Sequence, residues 1–278
     1  MPLSPRIAGS ILALSVAASP CLAREPERDY RLPETQAGLL QGFFWYPLRA
    51  TDAKGRPISA LRDVRKRGRW WEHTHVRYFD NGSIDKQSPC YSSGGTYSLR
   101  DDLIVSGRDG IQTVAGCPGP REVAEDAFFQ ALSGDLRFQI DTRRSEPLLT
   151  LQSEDGARLV LAGEPTPQTR FGGAGTPVTL EVQAERACPR PAPPTQRCLQ
   201  VREVIDAGNG DALKFGPWRW QSEPIHGYRY QRGMRETVQV LRFDLTTAAT
   251  GGARIGYGLV RKEGATSLEF IDDARDGL

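Results

Sequence analysis

The sequence lacks an excess of charge of either sign. Lysine and arginine number 36 in the 278 residues and aspartate and glutamate number 34, so the formal net charge is +2. Domains that bind nucleic acid typically carry a marked basic excess, and the composition therefore predicts no nucleic-acid partner. The hydrophobic fraction of 38% and the charged fraction of 25% are typical of a soluble globular protein.

Sequence motifs for catalysis are also missing. The chain has three histidines, His73, His75 and His226, and no Gly-x-Ser-x-Gly nucleophile motif. The acidic pairs at 101–102 and 125–126 are interpreted as a turn and as the start of a helix, where the helix dipole favours carboxylates. We therefore expect a non-enzymatic protein without a cofactor.

Long apolar runs are missing after the N-terminus. There, Arg6 precedes an apolar run at 7–18, and small residues lead to Ala23. This run is too short to span a bilayer comfortably, and it is typical of a secretory signal cleaved near Ala23. Lipid anchoring at Cys21 is the alternative, although Pro20 stands where a small residue is expected. We expect a periplasmic or secreted protein that does not span the membrane.

Export changes the interpretation of the cysteines. Removal of residues 1–23 leaves Cys90, Cys117, Cys188 and Cys198, and four cysteines in an oxidising compartment allow three pairings. Their order along the chain favours Cys90–Cys117 and Cys188–Cys198. For Cys90, the alternatives are a metal ligand and a nucleophile.

Proline and glycine, at 20 and 29 residues, indicate many turns and hence a β-rich fold. A Pro/Gly-rich stretch at 166–177 is predicted to be a linker between a first domain at 24–165 and a second at 178–278. One helix is predicted at 120–134, where apolar residues recur at helical spacing. Asp80-Asn81-Gly82-Ser83 predicts a hairpin turn. Strands are predicted at 39–48, 70–79, 96–99, 103–106, 111–115, 136–140, 148–152, 158–162, 178–187, 199–204, 218–220, 227–231, 237–243, 256–262 and 268–271.

Three groups of residues are candidates for binding. A basic run beside Trp70 and Trp71 has the composition of a polyanion-binding loop; its members are Arg62, Arg65, Lys66, Arg67 and Arg69. His73 and His75 share a strand face and are the candidate metal ligands, with Cys90 or Asp80 as a third. Trp218, Tyr228 and Tyr230 are candidates for an aromatic platform. The alternative interpretations are a solvated loop, ordinary strand histidines and half-buried strand aromatics.

The first domain resembles a known family. The residues that carry the resemblance are YFDNGSI at 78–84, GTYSL at 95–99, TVAGC at 113–117, FFQAL at 128–132 and the closing pair LLTLQ and RLVLAG at 148–152 and 158–163. Their order resembles the META domain of HslJ-type heat-shock proteins. In that family the first cysteine usually lies in Gly-Cys-Asn, whereas here it lies in Pro89-Cys90-Tyr91.

The second domain resembles a domain of unknown function that often follows META domains in bacterial envelope proteins. The matching residues are Cys188, CLQVRE at 198–203, Trp218, IHGYRY at 225–230, Gly233 and VQVLRF at 238–243. Together the resemblances imply a role in envelope stress or antibiotic tolerance, without established catalytic residues.

We therefore expect a mainly β protein: an antiparallel META-type sheet or barrel with one helix, followed by a second small antiparallel β domain. The expected partner is an envelope protein or an anionic envelope component. The alternative function is a secreted ligand-binding or inhibitor module that acts through loops 62–71 or 225–233. A metal-dependent enzyme with a cluster at His73, His75 and Asp80 ranks third.

Overall fold

The structure is a computed structural model that describes residues 29–61, 74–114, 119–193, 195–205, 214–246 and 253–267, called the described residues below. It confirms a mainly β fold with few helices. The strands form a closed eight-stranded barrel and a separate curled sheet.

The barrel is built from strands that each pair antiparallel with the next. They are β1 (Phe43–Thr51), β2 (His75–Tyr78), β3 (Ser83–Gln87), β4 (Tyr91–Arg100), β5 (Leu103–Val114), β6 (Leu136–Asp141), β7 (Leu148–Gln152) and β8 (Arg158–Pro165). Strand β1 pairs with β8, which closes the barrel. The predicted turn at Asp80–Ser83 is confirmed, because β2 and β3 form a hairpin around it.

Two helices and a 3-10 turn accompany the barrel: α1 (Gln36–Gln41), the turn Ser59–Leu61 and α2 (Pro120–Ala131). Helix α2 confirms the helix predicted from the apolar periodicity. The strand predicted at 39–48 is wrong in its first residues, since 39–41 belong to α1. Thr35 caps this helix by accepting a hydrogen bond from the N–H of Gly38. The prediction failed there because the adjacent leucines Leu39 and Leu40 fit either a helix or a strand.

The barrel core is formed by the inward residues of the strands and by α2. Along β1, Phe43 and Trp45 are buried, and the indole N–H of Trp45 donates to the Leu40 carbonyl at 2.8 Å. Phe128 of α2 and Leu161 of β8 are also fully buried. Because inward residues alternate with outward ones, the other side of the same strands is free to carry polar groups.

The strands from residue 176 onward form a curled sheet with the order β11-β10-β9-β14-β15-β13, and β12 also pairs with β10. Its strands are β9 (Thr176–Ala187), β10 (Arg197–Ile205), β11 (Lys214–Phe215), β12 (Arg219–Gln221), β13 (Ile225–His226), β14 (Met234–Thr246) and β15 (Ala253–Ser267). The strand predicted at 227–231 is wrong. Gly227 has a φ of +78° and the N–H of Tyr228 bonds the carbonyl of Ile225, so this segment leaves the sheet in a turn.

The stretch predicted as a linker contains a short helix, α3 (Pro167–Phe171), capped by Thr166. Pro167 and Phe171 lie against β15 at Gly258 and Gly256, where a Cβ would meet them at 2.2 Å and 2.9 Å respectively. The ring of Phe171 also contacts Phe243 of β14, with 5.0 Å between centroids. These contacts make α3 the junction between the barrel and the sheet.

Candidate functional site

Several of the site residues predicted from the sequence, for binding or for a disulfide, lie outside the described residues. These are Arg62, Arg65, Lys66, Arg67, Arg69, His73 and Cys117. His75 lies on β2 with its ring centroid 5.3 Å from Phe44 and 5.5 Å from Tyr46, and Asp80 is exposed in the turn. No group of three or more potential ligand side chains is placed to hold a metal within the described part of the chain.

The cysteines lie at the ends of strands. Cys188 and Cys198 form the predicted disulfide, with 4.9 Å between their Cα atoms, and tie β9 to β10. Cys90 is buried and disulfide-bonded. Its pairing with Cys117 stays a prediction.

A buried carboxylate fixes the Cys90 loop to α2. Glu125 is 0% exposed; its Oε2 accepts hydrogen bonds from the backbone N–H of Cys90 at 3.2 Å and from the hydroxyl of Ser88. Sequence reasoning treated Glu125 only as an acid at the helix start. Its position three residues before Phe128 and seven before Leu132 places it on the same buried helical face, which is the signal that was missed.

The three predicted platform aromatics are not assembled into one surface. The hydroxyl of Tyr228 donates to Glu236 at 2.6 Å, and that of Tyr230 donates to the carbonyl of Gln183 at 2.8 Å. Trp218 instead packs on the guanidinium of Arg202 at 4.6 Å. No ring contact joins these three described aromatics, so each has a separate structural role.

His226 lies on β13 where the sheet meets the end of barrel strand β8. Its Nε2 is 2.8 Å from the carbonyl of Pro165, so in the neutral ring this nitrogen carries the donated hydrogen. Glu164 Oε1 is 3.7 Å from the same atom. Burial lowers the pKa of His226, although the Pro165 hydrogen bond and the Glu164 charge act in the opposite direction. The ion pair Arg170–Asp29 adds two further charges nearby.

The candidate site that the structure brings together is a groove of about 510 Å³ on the outside of the barrel. It was not predicted from the sequence. Its lining comes from β1, β7, β8 and the two turns beside them: Arg49, Ala50, Thr51, Ala53, Gly55, Thr150, Gly156, Arg158 and Val160. Two arginines and two threonines are among these residues, and none of the nine is acidic.

Strand pairing explains why these side chains meet. Thr150, Val160 and Arg49 are neighbours across β7, β8 and β1, and Thr51 is directly opposite Arg158 in the next row. Arg49 and Arg158 are thus diagonal neighbours, a relation with about 7–8 Å between strand positions. The alternate residues, such as Leu159 and Leu161, point into the core, so Arg49, Thr51, Thr150, Arg158 and Val160 point outward, whereas Ala50, which is opposite Leu159, is buried beneath the groove.

The two aspartates near the groove are engaged in their own turns. Asp52 accepts hydrogen bonds from the backbone N–H groups of Arg56 and Lys54 and pairs with the Arg56 side chain at 2.8 Å. The backbone N–H of Arg56 makes the largest contribution to lowering the pKa of Asp52. Asp155 is held by the Ser153 hydroxyl, which lowers its pKa in the same way. Neither acid neutralises Arg49 or Arg158, and these two arginines have no ion-pair partner among the described residues.

Within the described part of the chain, no helix has the length and apolar character to cross a bilayer. No curated protein matches the sequence. An NMR structure of a protein from Burkholderia xenovorans is similar at 18% identity and a TM-score of 0.38, over 57% of this chain and 99% of that one. Residues 52–166, which span β2–β8, α2 and most of the groove, match the family model of the META domain.

Proposed function

We propose that this protein is an exported bacterial envelope protein of the META type that acts without catalysis, by binding or stabilising partners during heat or antibiotic stress. The observation that carries the proposal is the match of residues 52–166 to the META domain. The sequence of 178–278, which resembles the domain that often follows META modules, supports the same assignment. The N-terminal segment ending near Ala23 supports export.

The proposal is tested in the bacterium that carries the gene. Cells lacking it are compared with wild-type cells for survival after heat shock and during exposure to envelope-targeting antibiotics. We expect reduced survival that the full chain restores and that a chain without residues 1–23 does not restore. Equal survival of deleted and wild-type cells under both stresses would contradict the stress role, and a cytoplasmic location in fractionated cells would contradict export.

A second candidate function is the binding of an anionic envelope component. The observation that favours it is the groove on β1, β7 and β8, where Arg49 and Arg158 are diagonal neighbours without an acid partner among the described residues. Many other arginines of the described chain are neutralised, for example Arg137 by Asp102. A charge left free on a protein surface is available to a ligand.

A further inference from the structure

We propose that the groove formed by Arg49, Thr51, Thr150 and Arg158 binds a phosphate group carried on a larger molecule. The proposal rests on the second candidate function above and names its site and ligand class. The first support is that the four side chains are close together: they lie on the outward face of three adjacent strands, in two neighbouring rows. Rows two residues apart are separated by about 7 Å along a strand, so long arginine side chains can reach a common point.

The donors in the groove match a phosphate better than a carboxylate. A guanidinium is a planar fork that binds two oxygens of one anion. One such fork covers the two oxygens of a flat carboxylate, whereas a phosphate is tetrahedral, and its non-bridging oxygens, two in a diester and three in a terminal monoester, accept donors from more than one direction. Arg49 and Arg158 supply two forks, and the hydroxyls of Thr51 and Thr150 supply further donors.

The surroundings of the groove leave these donors available. Asp52 and Asp155, one in each of the two adjoining turns, accept hydrogen bonds from their own turn residues. Gly156 brings its turn close to the neighbouring turn, since a Cβ there would lie 3.9 Å from the carbonyl of Ala53. The end of the groove is therefore formed by small residues, and Val160 contributes apolar surface to its lining.

The size of the groove indicates that the phosphate is attached to something larger. Small-molecule sites have volumes of about 300–1,000 Å³, and the groove has about 510 Å³. It is open to solvent on one side, which suits the phosphate of a polymer or of a lipid headgroup. Free phosphate and a headgroup share the chemistry that the groove recognises, and the experiment distinguishes them.

The test uses the full, oxidised protein without residues 1–23. Inorganic phosphate and glycerol phosphate are titrated at constant ionic strength against chloride, with amide chemical shifts as the readout. In parallel, the protein is sedimented with phosphatidylglycerol vesicles and with phosphatidylcholine vesicles. We expect shifts at residues 49–56 and 150–160 and an affinity about tenfold weaker in Arg49→Gln or Arg158→Gln.

Two further variants separate geometry from charge. In Arg49→Lys/Arg158→Lys the charge is kept but the forks are lost, and we expect weaker binding than in the wild type. The matched control is Arg100→Gln/Arg186→Gln, which removes two exposed arginines that have no ion pair among the described residues, Arg100 being on β4 across the barrel from β8. The control is expected to bind like the wild type.

Each outcome decides the proposal. Localised shifts with the free anions support a phosphate site, and binding to phosphatidylglycerol vesicles alone supports a headgroup phosphate, provided that the Arg49 and Arg158 variants lose it. No binding, or equal loss in the control variant, overturns the site. Survival of stressed cells complemented with the Arg49→Gln/Arg158→Gln protein is scored separately, so that a failed site is distinguished from a failed stress role.

Discussion

The barrel and the curled sheet of this protein differ in how their strands are paired at the edges and in how many hydrophobic residues they bury. In the barrel, pairing of β1 with β8 gives every strand two neighbours, and nineteen buried hydrophobic residues of the described chain form its core. The sheet ends at β13 on one side and at β11 and β12 on the other, and its core has nine such residues among those described. A smaller core gives less hydrophobic stabilisation, so the sheet depends more on other interactions.

Polar and covalent links supply part of that stabilisation. Glu236 is 2% exposed, accepts a hydrogen bond from Tyr228 at 2.6 Å and pairs with Lys262 at 2.5 Å. Burial by itself raises the pKa of Glu236, but the Lys262 and Tyr228 hydrogen bonds outweigh it and lower the pKa overall. Together with the Cys188–Cys198 disulfide, these contacts stabilise the sheet, whereas the barrel is stabilised by strand closure and core packing.

The largest expected effects come from truncating one buried leucine in each domain. Leu161 of the barrel and Leu180 of the sheet are both 0% exposed. Each Leu→Ala change should lower the free energy of unfolding by about 2–5 kcal/mol. We expect Leu161→Ala to be the more costly, because a closed barrel wall cannot collapse into the cavity as an open sheet can. Urea unfolding measures both, with Val123→Ala on the exposed side of α2 as the control. A greater loss of unfolding free energy for Leu180→Ala than for Leu161→Ala would contradict the expectation that the closed barrel tolerates a cavity less well than the sheet.

The disulfide should matter next. Replacing both Cys188 and Cys198 by alanine frees a loop closed over a sequence separation of 10. The chain-entropy model gives a loss of about 3 kcal/mol in the free energy of unfolding, and the loss should fall on the sheet. Amide hydrogen exchange resolves this: faster exchange in β9 and β10 with an unchanged barrel is the expected pattern. Equal acceleration of amide exchange in the barrel and in the sheet would show that the disulfide does not stabilise the sheet selectively.

The contact between helix α3 and strand β15 can be disrupted by one substitution, which tests whether this contact couples the barrel to the sheet. A Cβ on Gly258 would lie 2.2 Å from two carbons of Pro167, so Gly258→Ala must push α3 away from β15. We expect a loss of about 1–3 kcal/mol, as for other overpacking substitutions, and a larger radius of gyration in X-ray scattering. The matched control is Gly264→Ala on the same strand, where a Cβ would have nothing within 4 Å. If both variants behave alike, the α3 contact does not couple the domains.

The sequence allowed prediction of those features that depend on local patterns. Helix α2 followed from apolar spacing, the β2–β3 hairpin from Asn81-Gly82, and the Cys188–Cys198 disulfide from the order of the cysteines. Barrel closure was not predictable, because it depends on pairing between β1 and β8, which are more than a hundred residues apart. The same pairing creates the groove, whose arginines come from positions 49 and 158. Helix α3 was missed because its Pro/Gly-rich sequence is typical of a linker, whereas its stability depends on contacts with glycines in β15.

The smallest predicted effect is a pH dependence of the junction. Burial lowers the pKa of His226 below its usual value, which is about 6.5 in an unfolded chain. Above that value both states are neutral and the stability is complete. As the pH falls below it, the unfolded chain binds a proton before the folded one does, so stability falls until the pH has passed the folded pKa. The slope for one proton is at most about 1.4 kcal/mol per pH unit.

Thermal unfolding between pH 7.5 and 5.0 measures this slope. His226→Gln keeps an N–H donor for the Pro165 carbonyl but cannot be protonated, so it should flatten the slope. His75→Gln in the barrel is the control and should leave the sheet's transition unchanged. Glu164, Asp29 and Arg170 also face His226, and the two carboxylates moderate the effect by favouring the protonated ring. An unchanged slope in His226→Gln would show that this histidine joins the barrel to the sheet without making the junction sensitive to pH.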